Sequence, residues 1–140
     1  MNQKILFVLV GLLAFVGIAL IIFGMLPGGA SPSTSAKALT AKAGNLNVTL
    51  AMNPAPAAFS ATTFDIAITD EKGAAVSDAN VSLDLTMPSM YMPANRPVAQ
   101  SLGGGKYRAT GRFTMRGGWQ IAVIINRGGQ SQTAIFQLGL

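Results

Sequence analysis

The sequence predicts an all-β domain: an immunoglobulin-like antiparallel β-sandwich of about seven strands, preceded by one N-terminal transmembrane helix. Three observations carry this expectation. From Asn45 to the end, apolar residues recur with a period of two, the mark of strands with one buried face. Turn signals separate these runs. Ahead of them lies Ile5–Leu26, 22 residues without a charge.

The apolar segment comes first. As a helix it is about 33 Å long at 1.5 Å per residue, enough to cross a hydrocarbon core of roughly 30 Å. A cleaved signal peptide has a shorter apolar region, about 7–15 residues. Small-residue sites follow at Pro27–Ala30 and Ala36–Ala38, so the sequence leaves cleavage open. Lipidation is closed, because the chain has no cysteine. Lys4 flanks the segment closely, whereas Lys37 and Lys42 lie further off on the other side. That asymmetry favours an N-terminus inside. Residues 1–26 are therefore expected to be a signal anchor, single-pass in the cytoplasmic (inner) membrane, with the C-terminal domain periplasmic or extracellular.

Residues 27–44, "PGGASPSTSAKALTAKAG", are small, polar and without core-forming side chains, and read as a flexible linker. The β-sandwich is expected over residues 45–140. Its strands announce themselves in order: Leu46–Met52, Phe64–Ile68, Val81–Met87, a weaker Val98–Leu102, Tyr107–Met115, Trp119–Ile125 and Ala134–Leu138. "DEKG", "GGGK", "RGG" and "RGGQ" supply turns between them.

Composition excludes several chemistries. With no histidine and no cysteine, common nucleophile–base pairs and zinc sites cannot be assembled. The acids Asp65, Asp70, Glu71, Asp78 and Asp84 show no spacing that suggests a catalytic pair or a calcium loop. The glycine clusters do not lead from a strand into a helix, which argues against a phosphate loop. The expectation is a protein that is not an enzyme. Residues 27–140 hold nine Lys/Arg against five Asp/Glu, a balance of 9 − 5 = +4, with no run of like charges. This suits an anionic membrane surface and does not point to nucleic acid. Lys106, Arg108, Arg112 and Arg116 share one parity; a solvated outer face explains them as well as an anion-binding surface does.

The methionines are the unusual feature. "LTMPSMYMPANRP" carries Met87, Met90 and Met92 within six residues, bounded by Pro88 and Pro93. Met52 and Met115 complete the set of five beyond residue 26. Simple alternation of strand direction gathers all five at one end of the sandwich. With Leu46–Met52 as the first strand, the linker enters at the opposite end, so the methionine end is expected to point away from the membrane. Met52, Met87 and Met115 carry inward parity and serve equally as core filler. Met90 and Met92 lie outside the alternating run, two residues apart, where extended chain aims both sulfurs the same way. Thioether sulfur is a soft donor that needs no deprotonation and selects Cu(I). Trp119 or Tyr91 is placed to cover such an ion by a cation–π contact.

"MPSMYMP" after a hydrophobic strand, followed by "GGGKYRATGRFTMRGGWQIAVII", resembles the YtkA-like/FixH family of membrane-anchored β-sandwich domains. The resemblance covers the anchor and nearly all of Asn45–Leu140. It implies an accessory protein of the bacterial envelope, linked to copper handling or to assembly of haem–copper oxidases. Many relatives carry histidine in or beside the methionine motif; this chain has none, which favours Cu(I) over Cu(II).

The functional expectation is thus a membrane-anchored copper-handling accessory protein, a metallochaperone. It would bind Cu(I) through Met90 and Met92, with Met87 as third ligand and Met52 or Met115 in reserve. Its expected partners are a copper transporter or a haem–copper oxidase subunit. The alternative is a non-metal assembly subunit that docks on a membrane complex through the Met90–Met92 loop.

Overall fold

The period-two alternation is realised as eight strands in two antiparallel sheets. The computed structural model describes residues 38–140; the expected transmembrane helix over 1–26, and residues 27–37 of the expected linker, lie outside the described residues. The strands are β1 (Leu39–Ala43), β2 (Leu46–Asn53), β3 (Ala61–Asp70), β4 (Asn80–Thr86), β5 (Gln100–Gly103), β6 (Lys106–Arg112), β7 (Gly118–Arg127) and β8 (Gln130–Gly139). One sheet has the order β1-β2-β3-β6-β5 and the other β4-β7-β8. Among the described residues there is no helix, and so none long and apolar enough to cross a membrane.

The inward residues of each strand build one core. Leu46, Val48 and Leu50 of β2 and Phe64, Ile66 and Ile68 of β3 are buried on one side. Val81, Leu83 and Leu85 of β4 and Trp119, Ile121, Val123 and Ile125 of β7 are buried on the other. Their outward neighbours Asp65 and Asp84 pair with Arg108 at 2.6 Å and Arg96 at 3.0 Å. Arg108 stands directly opposite Asp65 across the β3–β6 ladder, and the guanidinium is held charged more firmly by that carboxylate.

Strand β1 corrects the expected domain boundary. It occupies residues assigned from sequence to the linker, and pairs with β2 through a two-residue turn at Gly44–Asn45. Gly44 has φ +58°, a left-handed conformation that glycine adopts without steric cost. The new strand also reverses the direction from which the chain arrives. Leu39 pairs with Leu50 and Ala43 with Leu46, so the chain enters beside the end of β2 that carries Met52. The methionine end is therefore the end at which the chain enters, not the opposite one.

Two other expected strands are redrawn. The segment expected as Val98–Leu102 divides its allegiance. Residues 95–99 bond to β4 (Leu83 N–H to Pro97 O, Leu85 N–H to Asn95 O, Ala99 N–H to Val81 O, each 2.9 Å). The chain then passes to the other sheet as β5, antiparallel to β6. Strand β6 ends at Arg112, short of Met115. After it Phe113 bridges Ala58 in parallel, and Phe59 N–H donates to Phe113 O at 2.6 Å.

Candidate functional site at the methionine end

Register places the methionines. Met52 is the penultimate residue of β2 and pairs with Phe64, near the start of β3. Thr86, one residue before Met87, pairs with Gln120, one residue after Trp119. β6 runs antiparallel to β3 and ends with Arg112 opposite Ala61, so Met115 follows at the same end. All five methionines expected to gather at one end of the domain do so.

The structure divides them by access. Met52 and Met87 are 4% and 5% exposed and belong to the core. Met92 and Met115 are half-buried and pack against it. Met90 is 47% exposed, and Tyr91 beside it 99%. Met115 is carried by the β6–β7 loop, because β6 has already ended, so strand parity does not set its direction.

Short-range contacts hold the methionine loop in place. Met90 N–H donates to Met87 O at 3.1 Å, closing a turn around Pro88. Asn95 Nδ2 donates to Arg112 O at 2.9 Å and ties the far end of the loop to β6. A side chain added at Gly117 would come within 2.8 Å of Met87 Cε. The Met87 thioether thus lies against the loop that holds Met115. Gly117 and Leu140 exchange both backbone hydrogen bonds at 3.0 Å, which extends the β7–β8 ladder to this loop.

An aromatic floor lies beneath. Phe64 meets Phe113 edge-on at 5.9 Å, and Phe113 meets Trp119 at 5.1 Å. Trp119 is fully buried, and its Nε1–H donates to Met115 O at 3.1 Å. The indole supports the methionine end from inside, with its N–H engaged by that bond; of the two aromatic residues expected to cover an ion, Trp119 is buried and Tyr91 exposed. Tyr91 stays free.

Phe59 escaped the sequence reading. It sits in "PAPAAFSA" without alternation or charge to single it out. The structure holds it at this end, 67% exposed and at φ +68°, a conformation costly for a bulky side chain. Among the described residues no three His, Cys, Asp or Glu side chains gather. The donors collected at this end are thioethers.

Elsewhere, a shallow groove of about 310 Å³ lies on the outer face of the five-stranded sheet, lined by Thr49, Ala51, Asp65, Ala67, Leu102 and Lys106 among others. None of the five methionines lines it.

Comparison with known proteins agrees with this architecture. A solved DUF4426 family protein from Pseudomonas aeruginosa PAO1 superposes with a TM-score of 0.52 at 14% identity, over 74% of this chain and 94% of that one. At that identity the likeness concerns the fold alone. Among curated proteins no relative matches. The profile of the family described as YtkA-like matches residues 40–124, from β1 into β7 and across the whole methionine loop, and the chain belongs to the YtkA-like family.

Proposed function

We propose that this domain handles Cu(I) as cargo, in an extracytoplasmic, membrane-anchored accessory protein that delivers copper or assists oxidase assembly. The observation that carries the reading is the convergence of thioethers from separate loops in a chain without histidine or cysteine. Met90 is the exposed donor, and Met92, half-buried, lies two residues on in the same loop. Met87 follows as third, its side chain against the loop of Met115, with Met115 or Met52 in reserve. Soft, neutral donors bind Cu(I) without releasing protons. Such a site suits transfer to a copper transporter or a haem–copper oxidase subunit more than storage.

A Cu(I) competition titration on the full chain tests this. The double substitution Met90→Leu, Met92→Leu should weaken Cu(I) binding by at least about tenfold, about 1.4 kcal/mol. It should move stability by less than about 1.5 kcal/mol, because Met90 is exposed, Met92 is half-buried and leucine conserves its volume. Unchanged affinity would overturn the assignment.

A second reading is favoured by the exposure of Tyr91 and Met90. Adaptable apolar loops also suit protein surfaces, and the domain would then be a non-metal assembly subunit. Copurification of a membrane partner that persists in copper-free medium supports that reading.

A further inference from the structure

The methionine end combines three features that the metal reading does not use. It exposes large apolar side chains, it carries unpaired positive charge, and it is where the chain arrives.

The apolar residues come from two different connections. Phe59 lies in the β2–β3 loop and is fixed to the chain just after β6 by its N–H bond to Phe113 O. Met90 and Tyr91 lie in the loop after β4. These three are among the exposed large hydrophobic residues of the domain; Leu102 and Ile135 lie on β5 and β8, and Val98 in the segment bridged to β4. Phe59 is held outward despite its left-handed backbone, so its exposure is imposed by the fold and is not the freedom of a slack loop.

Charge is divided between the two ends. Arg112 closes β6, and Arg116 lies four residues on, in the loop with Met115. Both are exposed, and neither forms an ion pair among the described residues. The five acidic residues of the chain all lie elsewhere. Asp65 and Asp84 are mid-strand and engaged by Arg108 and Arg96. Asp70, Glu71 and Asp78 lie at the opposite end, around the β3–β4 connection. The methionine end is thus positive without any acidic side chain, and apolar at its tips.

We propose that this end of the domain seats on an anionic bilayer surface. Aromatic side chains with polar tips favour the headgroup level, and arginines near an anionic surface add attraction that salt removes. The direction of β1 agrees, since its first residue, Leu39, lies beside Leu50 towards this end. The proposal does not rest on copper binding, but it places Met90 where a membrane-embedded acceptor would meet it.

The absence of cysteine permits a clean test. A nitroxide is attached to Tyr91→Cys, an exposed site where folding is not at stake, in the full chain reconstituted in phosphatidylcholine vesicles with and without phosphatidylglycerol. Lys72→Cys, in the turn at the opposite end, is the control. The label at 91 should lose contact with a water-soluble nickel reagent and gain contact with oxygen in the anionic vesicles, while the label at 72 stays solvent-like. The double reversal Arg112→Glu, Arg116→Glu, or salt near 1 M, where the Debye length is about 3 Å, should return the label at 91 to solvent. A label at 91 that stays solvent-like, that matches the label at 72, or that ignores the charge reversal overturns the proposal; the first leaves these side chains to a protein partner. Flotation of the same samples reports anchoring separately. The Met90→Leu, Met92→Leu variant should keep lipid contact while losing Cu(I), so the two readings fail independently.

Discussion

The two ends of the sandwich are built by opposite means. At the lower end, around the β3–β4 connection, nearly every loop is tied by hydrogen bonds. Asp70 Oδ1 accepts from Lys72 N–H and Ala74 N–H at 2.9 and 2.8 Å, and Ser77 Oγ accepts from Gly105 N–H at 2.8 Å. The buried Tyr107 hydroxyl donates to Val76 O at 2.8 Å and accepts from Ala79 N–H at 3.3 Å. Asp78 and Arg127 close the edge at 2.8 Å. At the methionine end the loops are held by fewer bonds and leave apolar side chains in solvent. Hydrogen-bonded loops fix one conformation, because an unpaired buried polar group is costly. Loops packed by methionine and aromatic side chains retain adaptability. The difference separates the end whose loops are fixed by hydrogen bonds from the end to which the proposed binding is assigned.

Gly105→Ala should break this contrast most severely. Gly105 has φ +73°, and an added Cβ would lie 2.7 Å from Ile68 O and 3.0 Å from Val76 N. Backbone cannot retreat as a flexible side chain can. Left-handed strain of about 1–3 kcal/mol and overpacking of about 1–3 kcal/mol together predict a loss of roughly 2–6 kcal/mol in urea unfolding.

Phe59→Gly probes the other end and should act in the opposite sense. It relieves left-handed strain of about 1–3 kcal/mol against an unfolded-state entropy cost of about 0.5–1 kcal/mol, a gain of up to about 2 kcal/mol in thermal or urea unfolding. A marked destabilisation would show that the ring at 59 serves the fold.

The smallest effect is expected from Asp78→Asn. Hydrogen bonding to Arg127 holds the Asp78 carboxyl below its ordinary value. A carboxylate lowered by folding contributes stability above its unfolded pKa and loses it as pH falls through the folded one. The variant should therefore differ slightly from the parent at neutral pH and converge with it in acid; both residues are exposed, so the effect is small.

The strands that alternate cleanly were legible before any coordinates. Val81, Leu83 and Leu85 identify β4, and Trp119, Ile121, Val123 and Ile125 identify β7, because a half-buried strand has no other way to distribute apolar residues. Strand β1 was not legible by that route, since "LTAKA" offers one leucine and two alanines to the core side. Its signal was the turn: Gly44–Asn45 ahead of Leu46 is a two-residue hairpin connection. Overlooking it inverted the direction from which the chain enters the sandwich. The gathering of methionines was legible because it needs only strand order. Their access was not. Met115 depends on where β6 stops, and Met92 on how its loop packs, which no periodicity encodes.

The segment from Asn95 to Gly103 belongs to both sheets, bonding first to β4 and then to β6. It works as a clasp: the sheets cannot part along that side without detaching a continuous piece of chain from one of them. The methionine loop hangs from the upper end of this clasp, with Asn95 fastened to β4 and β6 together. Motion at Met90 is thereby kept local, and a molecule exchanged at the tip need not loosen the domain that presents it.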